Sequence, residues 1–181
     1  LIARYAASLI ENQDFIYLDA GSTVSKMIPY ITAKSIHIMT QSITNILELS
    51  KKDIQIYTAG GNFKTQNDII LGNETIERVK QMTFSKCFIG ANGIHEFSGF
   101  TTADDLEGTL KKTVIEHSVI PIILTDSTKV HILNPMKFAD LDQVTLITDY
   151  LVPDFDYSLI KEVISVTPEG IRQYRFGKQI V

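Results

Sequence analysis

The sequence holds a single cysteine, Cys87, in 181 residues. One thiol excludes an intrachain disulfide framework and a cysteine-based zinc cluster, and it fits a reducing cytoplasm. No apolar run approaches the roughly 20 residues that a membrane-spanning helix needs. The first ten residues carry Arg4 and read as a helix, without the charged, apolar and cleavage zones of a secretion signal. Basic charge is scarce: 17 Lys and Arg stand against 21 Asp and Glu, a net charge of -4. Holding nucleic-acid phosphates requires a basic face, so the chain is unsuited to gripping DNA by charge. The phosphate-loop pattern GxxxxGK[ST], the dinucleotide turn GxGxxG and the nucleophile elbow GxSxG are all missing, so Ser22, Ser42 and Ser127 are not in an elbow. The four histidines, His37, His95, His117 and His131, show no metal-ligand spacing. We therefore expect no metal and no cofactor.

What is present is ordinary globular material, 44% hydrophobic and 21% charged. A chain of this length buries roughly 70% of its unfolded surface and needs no staples. We find no internal repeat, low-complexity tract or linker, and expect one domain over residues 1–181. Short β-branched runs alternate with helical stretches. Strands are expected at 15–18, 36–39, 54–57, 86–89, 119–124 and 144–147. Helices are expected at 24–31, after Ser42 through Leu49, from an Asn73 cap through Gln81, from Asp104 or Asp105 to about Ser118, and from Asp156 toward Val163. Residues 90–99 read as a glycine-rich loop. The tail after Pro168, with Arg172, Arg175 and Lys178, is either a hairpin or a docking arm over 168–181. Strands alternating with helices indicate βαβ units. The nearly continuous apolar strands indicate a mostly parallel sheet covered on both faces by helices, a Rossmann-like α/β fold.

Ligands of open α/β sheets bind outside the carboxyl ends of the strands. Polar and glycine residues collect at five such ends: Asp19-Ala-Gly-Ser-Thr23, Thr40-Gln-Ser42, Gly60-Gly61, Gly90-Ala-Asn-Gly93 and Asp126-Ser-Thr-Lys129. In the first, Gly21 permits close backbone approach and Ser22 and Thr23 present hydroxyls, either as an anion site or as a plain capped turn. Gly60-Gly61 and the Asn92-Gly93 pair are ligand contacts or tight turns. Lys111 and Lys112 fall on different sides of a helix stripe made by Leu110, Val114 and His117, and one of them points to solvent. Asp104, Asp105 and Glu107 either pair as catalytic carboxylates or complement a helix N-terminus. Cys87 reads as a small core residue.

These stretches, in this order, resemble the C-terminal effector-sensing domain of the DeoR family of bacterial sugar-metabolism repressors. The resemblance rests on Ile2-Ala-Arg-Tyr-Ala-Ala-Ser-Leu-Ile10, Leu18-Asp-Ala-Gly-Ser-Thr23, Gly60-Gly61, Phe88-Ile-Gly-Ala-Asn-Gly-Ile94, Gly99-Phe-Thr-Thr102, Asp126-Ser-Thr-Lys129 and Ile147-Thr-Asp149. It implies the ribose-5-phosphate isomerase and sugar-phosphate deaminase fold, a phosphorylated sugar as effector, and assembly into a homo-oligomer. It further implies a cytoplasmic, non-membrane protein whose operator DNA is bound by an N-terminal winged helix-turn-helix. With Leu1 in first place, the sequence reads as a fragment lacking that part. The implied effector contacts are Asp19, Gly21, Ser22, Thr23, Thr40, Gln41, Ser42, Gly60, Gly61, Asn92, Gly93, Lys112, Asp126 and Lys129. Gly99-Phe-Thr-Thr102 is similar to members linked with fructose utilisation, which makes fructose 1-phosphate the first candidate.

Two departures separate this chain from the isomerases. The isomerase loop Gly-Ala-Asp-Glu is Gly90-Ala-Asn-Gly93 here, and Lys112 aligns with the catalytic glutamate. Abstracting a proton beside a carbonyl needs a base such as a carboxylate, so the resemblance implies a sensor with its catalytic carboxylates replaced rather than an isomerase or deaminase. The common Thr-Asn-Ser after the second strand is Thr40-Gln-Ser42. Because the charge balance is acidic, these 181 residues alone should give no submicromolar operator complex at physiological salt in a gel-shift assay.

Overall fold

A computed structural model describes residues 1–176. Lys178 and the rest of the tail beyond residue 176 lie outside the described residues. In chain order the elements are α1 (Ile2–Ser8), β1 (Phe15–Leu18), α2 (Ser22–Ser25), β2 (His37–Thr40), α3 (Ile43–Leu49), β3 (Gln55–Tyr57), β4 (Asn62–Lys64), β5 (Ile69–Leu71), α4 (Asn73–Val79), β6 (Phe84–Gly90), β7 (Gly93–His95), β8 (Gly99–Thr102), α5 (Asp105–Glu116), β9 (Ser118–Leu124), β10 (Met136–Ala139), β11 (Thr145–Thr148), β12 (Glu162–Thr167) and β13 (Gly170–Arg175). The main sheet runs β13-β12-β11-β9-β6-β1-β2-β3. Its neighbours pair in parallel, except for antiparallel β12 and β13.

The two-residue period of a strand sends alternate side chains to opposite faces. Ile16 and Leu18 of β1 join a core with α1, Val24 of α2 and Leu49 of α3. Tyr17 between them joins the other core, with Ile76 and Val79 of α4 and Leu110 and Val114 of α5. Helices therefore cover both faces of a mostly parallel sheet, as the apolar strand runs require. From β1 the chain steps outward to β2 and β3, then returns past β1 to β6 and proceeds to β9, β11 and β12. The direction reverses between β1 and β6, which is where a doubly wound sheet opens a crevice.

Local chemistry departs from the sequence expectations in several places. The helix expected over 24–31 is the four-residue α2 followed by a 3₁₀ turn, Ile28–Tyr30. Pro29 inside that stretch has no amide to continue an α-helix. The late helix expected from Asp156 is a 3₁₀ turn, Tyr157–Leu159, capped by the Asp156 carboxylate and leading into β12. The β-branched residues Val163, Ile164 and Val166 pack better on a pleated surface than in a helix. Gly72, not Asn73, is the N-cap of α4. The glycine-rich stretch 90–99 is a hairpin of β7 and β8, extended by β10 into a small antiparallel sheet. Strands β4 and β5 form another hairpin, and β12 and β13 a third that resolves residues 170–175 of the tail. Two glycines have backbone roles here. Gly61 has φ +150° in the β4–β5 hairpin, and a Cβ on Gly93 would stand 2.2 Å from the Ile132 carbonyl oxygen.

Cys87 sits wholly buried in β6, and burial pushes its thiol pKa up to about 12. No helix among the described residues is long and apolar enough to cross a membrane.

At the amino ends of β1 and β6 lies a buried ion pair, Lys86 Nζ to Asp14 Oδ2 at 2.7 Å. The Ser85 hydroxyl (2.7 Å) and the Glu11 amide (2.8 Å) also donate to Asp14. Burial raises the Asp14 pKa, but these donors outweigh it and hold the carboxyl below its ordinary 3.8. A carboxyl that ionises more readily folded than unfolded contributes fully above its unfolded pKa, and the contribution fades as pH falls through the folded value. Removing one partner strands a buried charge, so Asp14→Ala should cost about 3 kcal/mol in urea unfolding at pH 7. It should also flatten the acid limb of the stability profile.

Candidate functional site

The carboxyl ends of β9, β6, β1 and β2 enclose a cleft of about 410 Å³, a volume typical of small-molecule sites. Its centre is organised by Asp19, the residue that follows β1. Asp19 Oδ2 accepts from the Gly90 amide at 2.9 Å and from Lys111 Nζ at 2.5 Å. Lys111 also donates to the Gly90 carbonyl at 2.8 Å. One carboxylate thus ties β1, β6 and α5 together. The Lys111 ammonium also sits 5.6 Å from the Phe138 ring centroid, a cation–π contact from β10. The backbones of Gly21 and Gly90 pass closely here, since a Cβ on Gly21 would lie 3.5 Å from Gly90 Cα. Tyr17 forms part of the cleft wall. Burial first, then the negative charges of Asp19 and Glu107, push its phenol well above the ordinary value.

Each end of the cleft has its own chemistry. At the β9 end, Asp126 caps the 3₁₀ turn Ser127–Lys129, accepting from the Thr128 amide at 3.0 Å. Asp149, beyond β11, accepts from the Ser127 amide at 2.7 Å and the Tyr150 amide at 2.8 Å. Burial raises the Asp149 pKa, and these amides lower it further than burial lifts it. Lys129 is thereby carried into the cleft lining, and it has no carboxylate partner among the described residues. Ser22 and Thr23, on the turn after β1, line the cleft as well.

At the β2 end, Gln41 is buried in the lining. Its Oε1 accepts from the Thr58 hydroxyl (2.9 Å) and the Ala59 amide (3.3 Å), while its Nε2 has no hydrogen-bond partner. The β4–β5 hairpin closes this end. Lys64 Nζ reaches Asp104 Oδ2 at 2.7 Å, and Asn67 Nδ2 reaches Glu107 Oε1 at 2.8 Å. Asp104 also caps α5 by accepting from the Glu107 amide. The Lys64 ammonium and that amide hold its carboxyl below the ordinary value.

Of the residues singled out in the sequence, Asp19, Gly21, Ser22, Thr23, Gln41, Asn92, Asp126 and Lys129 line this one cleft. Thr40 and Ser42 lie buried behind it. Thr40 Oγ1 accepts from the Ser42 amide and from Asn45 Nδ2, and Ser42 caps α3 by accepting from the Asn45 amide. The Gly60 carbonyl accepts from the Thr75 hydroxyl, and Gly61 and Gly93 serve the hairpins. Lys112 requires correction. It projects to solvent, 4.0 Å from Glu116, and lines a different groove beside Lys137 and Gln143. The lysine of the cleft is its neighbour Lys111, because a helix turns about 100° per residue. Glu107 and Lys111, singled out in the sequence but not as effector contacts, also line the cleft, and Asn67 was missed. Glu107, Lys111 and Val114 make an i, i+4, i+7 stripe legible in the sequence, whereas Asn67 arrives from a hairpin with no such signal. Among the described residues no group of three or more His, Cys, Asp or Glu is placed to hold a metal ion.

Residues 1–150 match the family model described as the DeoR C-terminal sensor domain. The chain is 36% identical over 167 residues to an uncharacterized HTH-type transcriptional regulator, FruR, of Bacillus subtilis, covering 91% of this chain and 66% of that one. It is 34% identical over 152 residues to the HTH-type transcriptional repressor GlcR of Bacillus subtilis, covering 83% of this chain and 58% of that one. It therefore spans only about three fifths to two thirds of their lengths. Among solved structures, ribose-5-phosphate isomerase A of Methanocaldococcus jannaschii superposes with a TM-score of 0.56 at 13% identity, covering 96% of each chain. That likeness is one of fold.

The two adjacent lysines provide a test of this geometry. Lys111→Ala leaves the Asp19 carboxylate buried without its cation and should cost about 3 kcal/mol in chemical denaturation. Lys112→Ala removes an exposed pair and should change stability by less than about 0.5 kcal/mol.

Proposed function

The chain belongs to the DeoR family of C-terminal sensor domains, and on that premise we propose that its cleft binds a phosphorylated sugar whose presence governs transcriptional repression. The observation that carries this reading is Lys129. It lines a strand-end cleft without a carboxylate partner among the described residues, and Ser22 and Thr23 line the same cleft. A compact cation beside hydroxyl donors suits a phosphate oxygen. Asp19 is already occupied by Lys111 and the Gly90 amide, so it shapes the cleft and leaves Lys129 as the cation without a carboxylate partner among the described residues.

The regulators similar to this chain are named as HTH-type and are longer than it. We place operator binding in a helix-turn-helix part of the full-length protein and effector sensing here. The sugar phosphate acts by binding one arrangement of a homo-oligomer more tightly than another, since a ligand shifts an equilibrium only through differential affinity. Fructose 1-phosphate remains the first effector to try.

The same reading makes the chain a sensor and not an isomerase. Asn92, in place of the isomerase loop acid, accepts from the Thr102 hydroxyl at 2.7 Å, and an amide is no base for a carbon-bound proton. Lys111, the helix lysine that faces the cleft, is paired with Asp19. The carboxylate that favours the enzymatic alternative is Glu107, which lines the cleft.

Thermal-shift measurements with a panel of sugar phosphates test the proposal, because a ligand that binds the folded state raises apparent stability. Fructose 1-phosphate or another member should raise Tm. Lys129→Ala should weaken that ligand about tenfold or more, Ser22→Ala should weaken it less, and each should alter ligand-free stability by under about 0.5 kcal/mol. No stabilisation by any sugar phosphate would sink the proposal. Turnover of one that disappears in Glu107→Gln would replace the sensor with an enzyme.

A further inference from the structure

Charge is unevenly spread along the cleft. At its centre, the Lys111 charge is cancelled by Asp19, which the Gly90 amide locks in place. Lys129 lies at the β9 end, where the Asp126 carboxylate, which accepts from the Thr128 amide, also lines the cleft. Glu107, held by Asn67 of the β4–β5 hairpin, lies at the β2 end. From β9 to β2 is three strand spacings, roughly 14 Å between strand axes, which side chains reaching inward shorten to the length of a small sugar phosphate. Glu107 has an amide partner but no cation partner among the described residues, so its negative charge is not neutralised. Gln41, whose buried Nε2 has no hydrogen-bond partner, lines the same cleft.

We propose that this far end selects the ligand by charge: it accepts the hydroxyl groups of a sugar monophosphate and rejects ligands with a second anionic group there, Glu107 being the discriminating residue. The argument rests on hydrogen-bond complementarity. A hydroxyl can donate, so it satisfies the Glu107 carboxylate, which only accepts. A second phosphate or a carboxylate only accepts. It sets like charge against Glu107 in a partly desolvated cleft, where no second free cation among the described residues relieves it. Selection therefore works by penalty at one end and attraction at the other. The inference rests on the proposed function, because it takes the first phosphate to lie at Lys129.

Matched pairs of probes test it: fructose 1-phosphate against fructose 1,6-bisphosphate, and glucose 6-phosphate against 6-phosphogluconate. Binding to the 181-residue chain is measured by calorimetry and thermal shift. The monophosphate that stabilises the protein should bind about tenfold or more tightly than its doubly anionic partner. Glu107→Gln keeps the hydrogen bond from Asn67 and removes the charge. It should narrow that ratio by at least about fivefold, mainly by strengthening the bisphosphate or sugar-acid arm. Glu107→Asp keeps the charge and should preserve the ratio. Equal binding of the paired probes, or a ratio unmoved by Glu107→Gln, overturns this inference and leaves the proposed function standing. Failure of every probe to bind overturns both.

Discussion

The whole cleft depends on one carboxylate. Asp19 stands at the point where the sheet reverses its winding, and it accepts at once from a backbone amide of β6 and an ammonium of α5. Two strands and a helix from distant parts of the sequence are joined through one oxygen atom, Asp19 Oδ2. An unpaired charge could not remain there, because burying a lone carboxylate or ammonium is far more costly than burying a matched pair. The pair therefore sets the position of α5 relative to the sheet. With α5 fixed, Glu107 one turn earlier and the Asp104 cap fall where the β4–β5 hairpin can meet them.

The sheet carries a second buried pair at its other pole, Asp14 with Lys86. β1 and β6 are thus fastened at both ends: by Asp14 and Lys86 at the amino end, and by Asp19 and the Gly90 amide at the carboxyl end. Between these fastenings the strands present apolar side chains to two separate cores. The arrangement separates tasks. Apolar burial drives assembly of the sheet, while the polar fastenings fix register and leave the carboxyl end open and polar.

Much of this was legible in the residues. Six of the parallel strands, β1, β2, β3, β6, β9 and β11, announce themselves as short apolar runs, and the strand-end glycines and hydroxyls mark where the chain turns over the sheet. Helix phase at α5 was harder. Lys111 and Lys112 are chemically alike and adjacent, and only the Glu107, Lys111, Val114 stripe distinguishes the inward one. The resemblance pointed to Lys112, and the structure turns Lys111 into the cleft instead. The β4–β5 and β7–β8 hairpins were not legible as such, because strands of three or four residues with mixed polarity carry no sustained period, whereas a hairpin was one of the two readings of the tail. The 160–166 run illustrates a related ambiguity: a short apolar stretch near a capping aspartate fits helix or strand, and pairing with β11 decides it. Gly61 and Gly93 show why glycine motifs are ambiguous, since a glycine needed for backbone approach looks the same as one needed for a ligand.

Cys87 gives this molecule a built-in clock. It lies at the centre of β6, with its thiol held protonated and shielded from solvent. An alkylating reagent reacts with thiolate, so modification must wait until the central strands part. With one thiol per chain, each modified molecule reports one opening event, and the labelling rate reads how often the sheet separates. Opening of the β4–β5 hairpin alone would leave that rate unchanged, so local breathing of the cleft and rupture of the core can be told apart without introducing a probe.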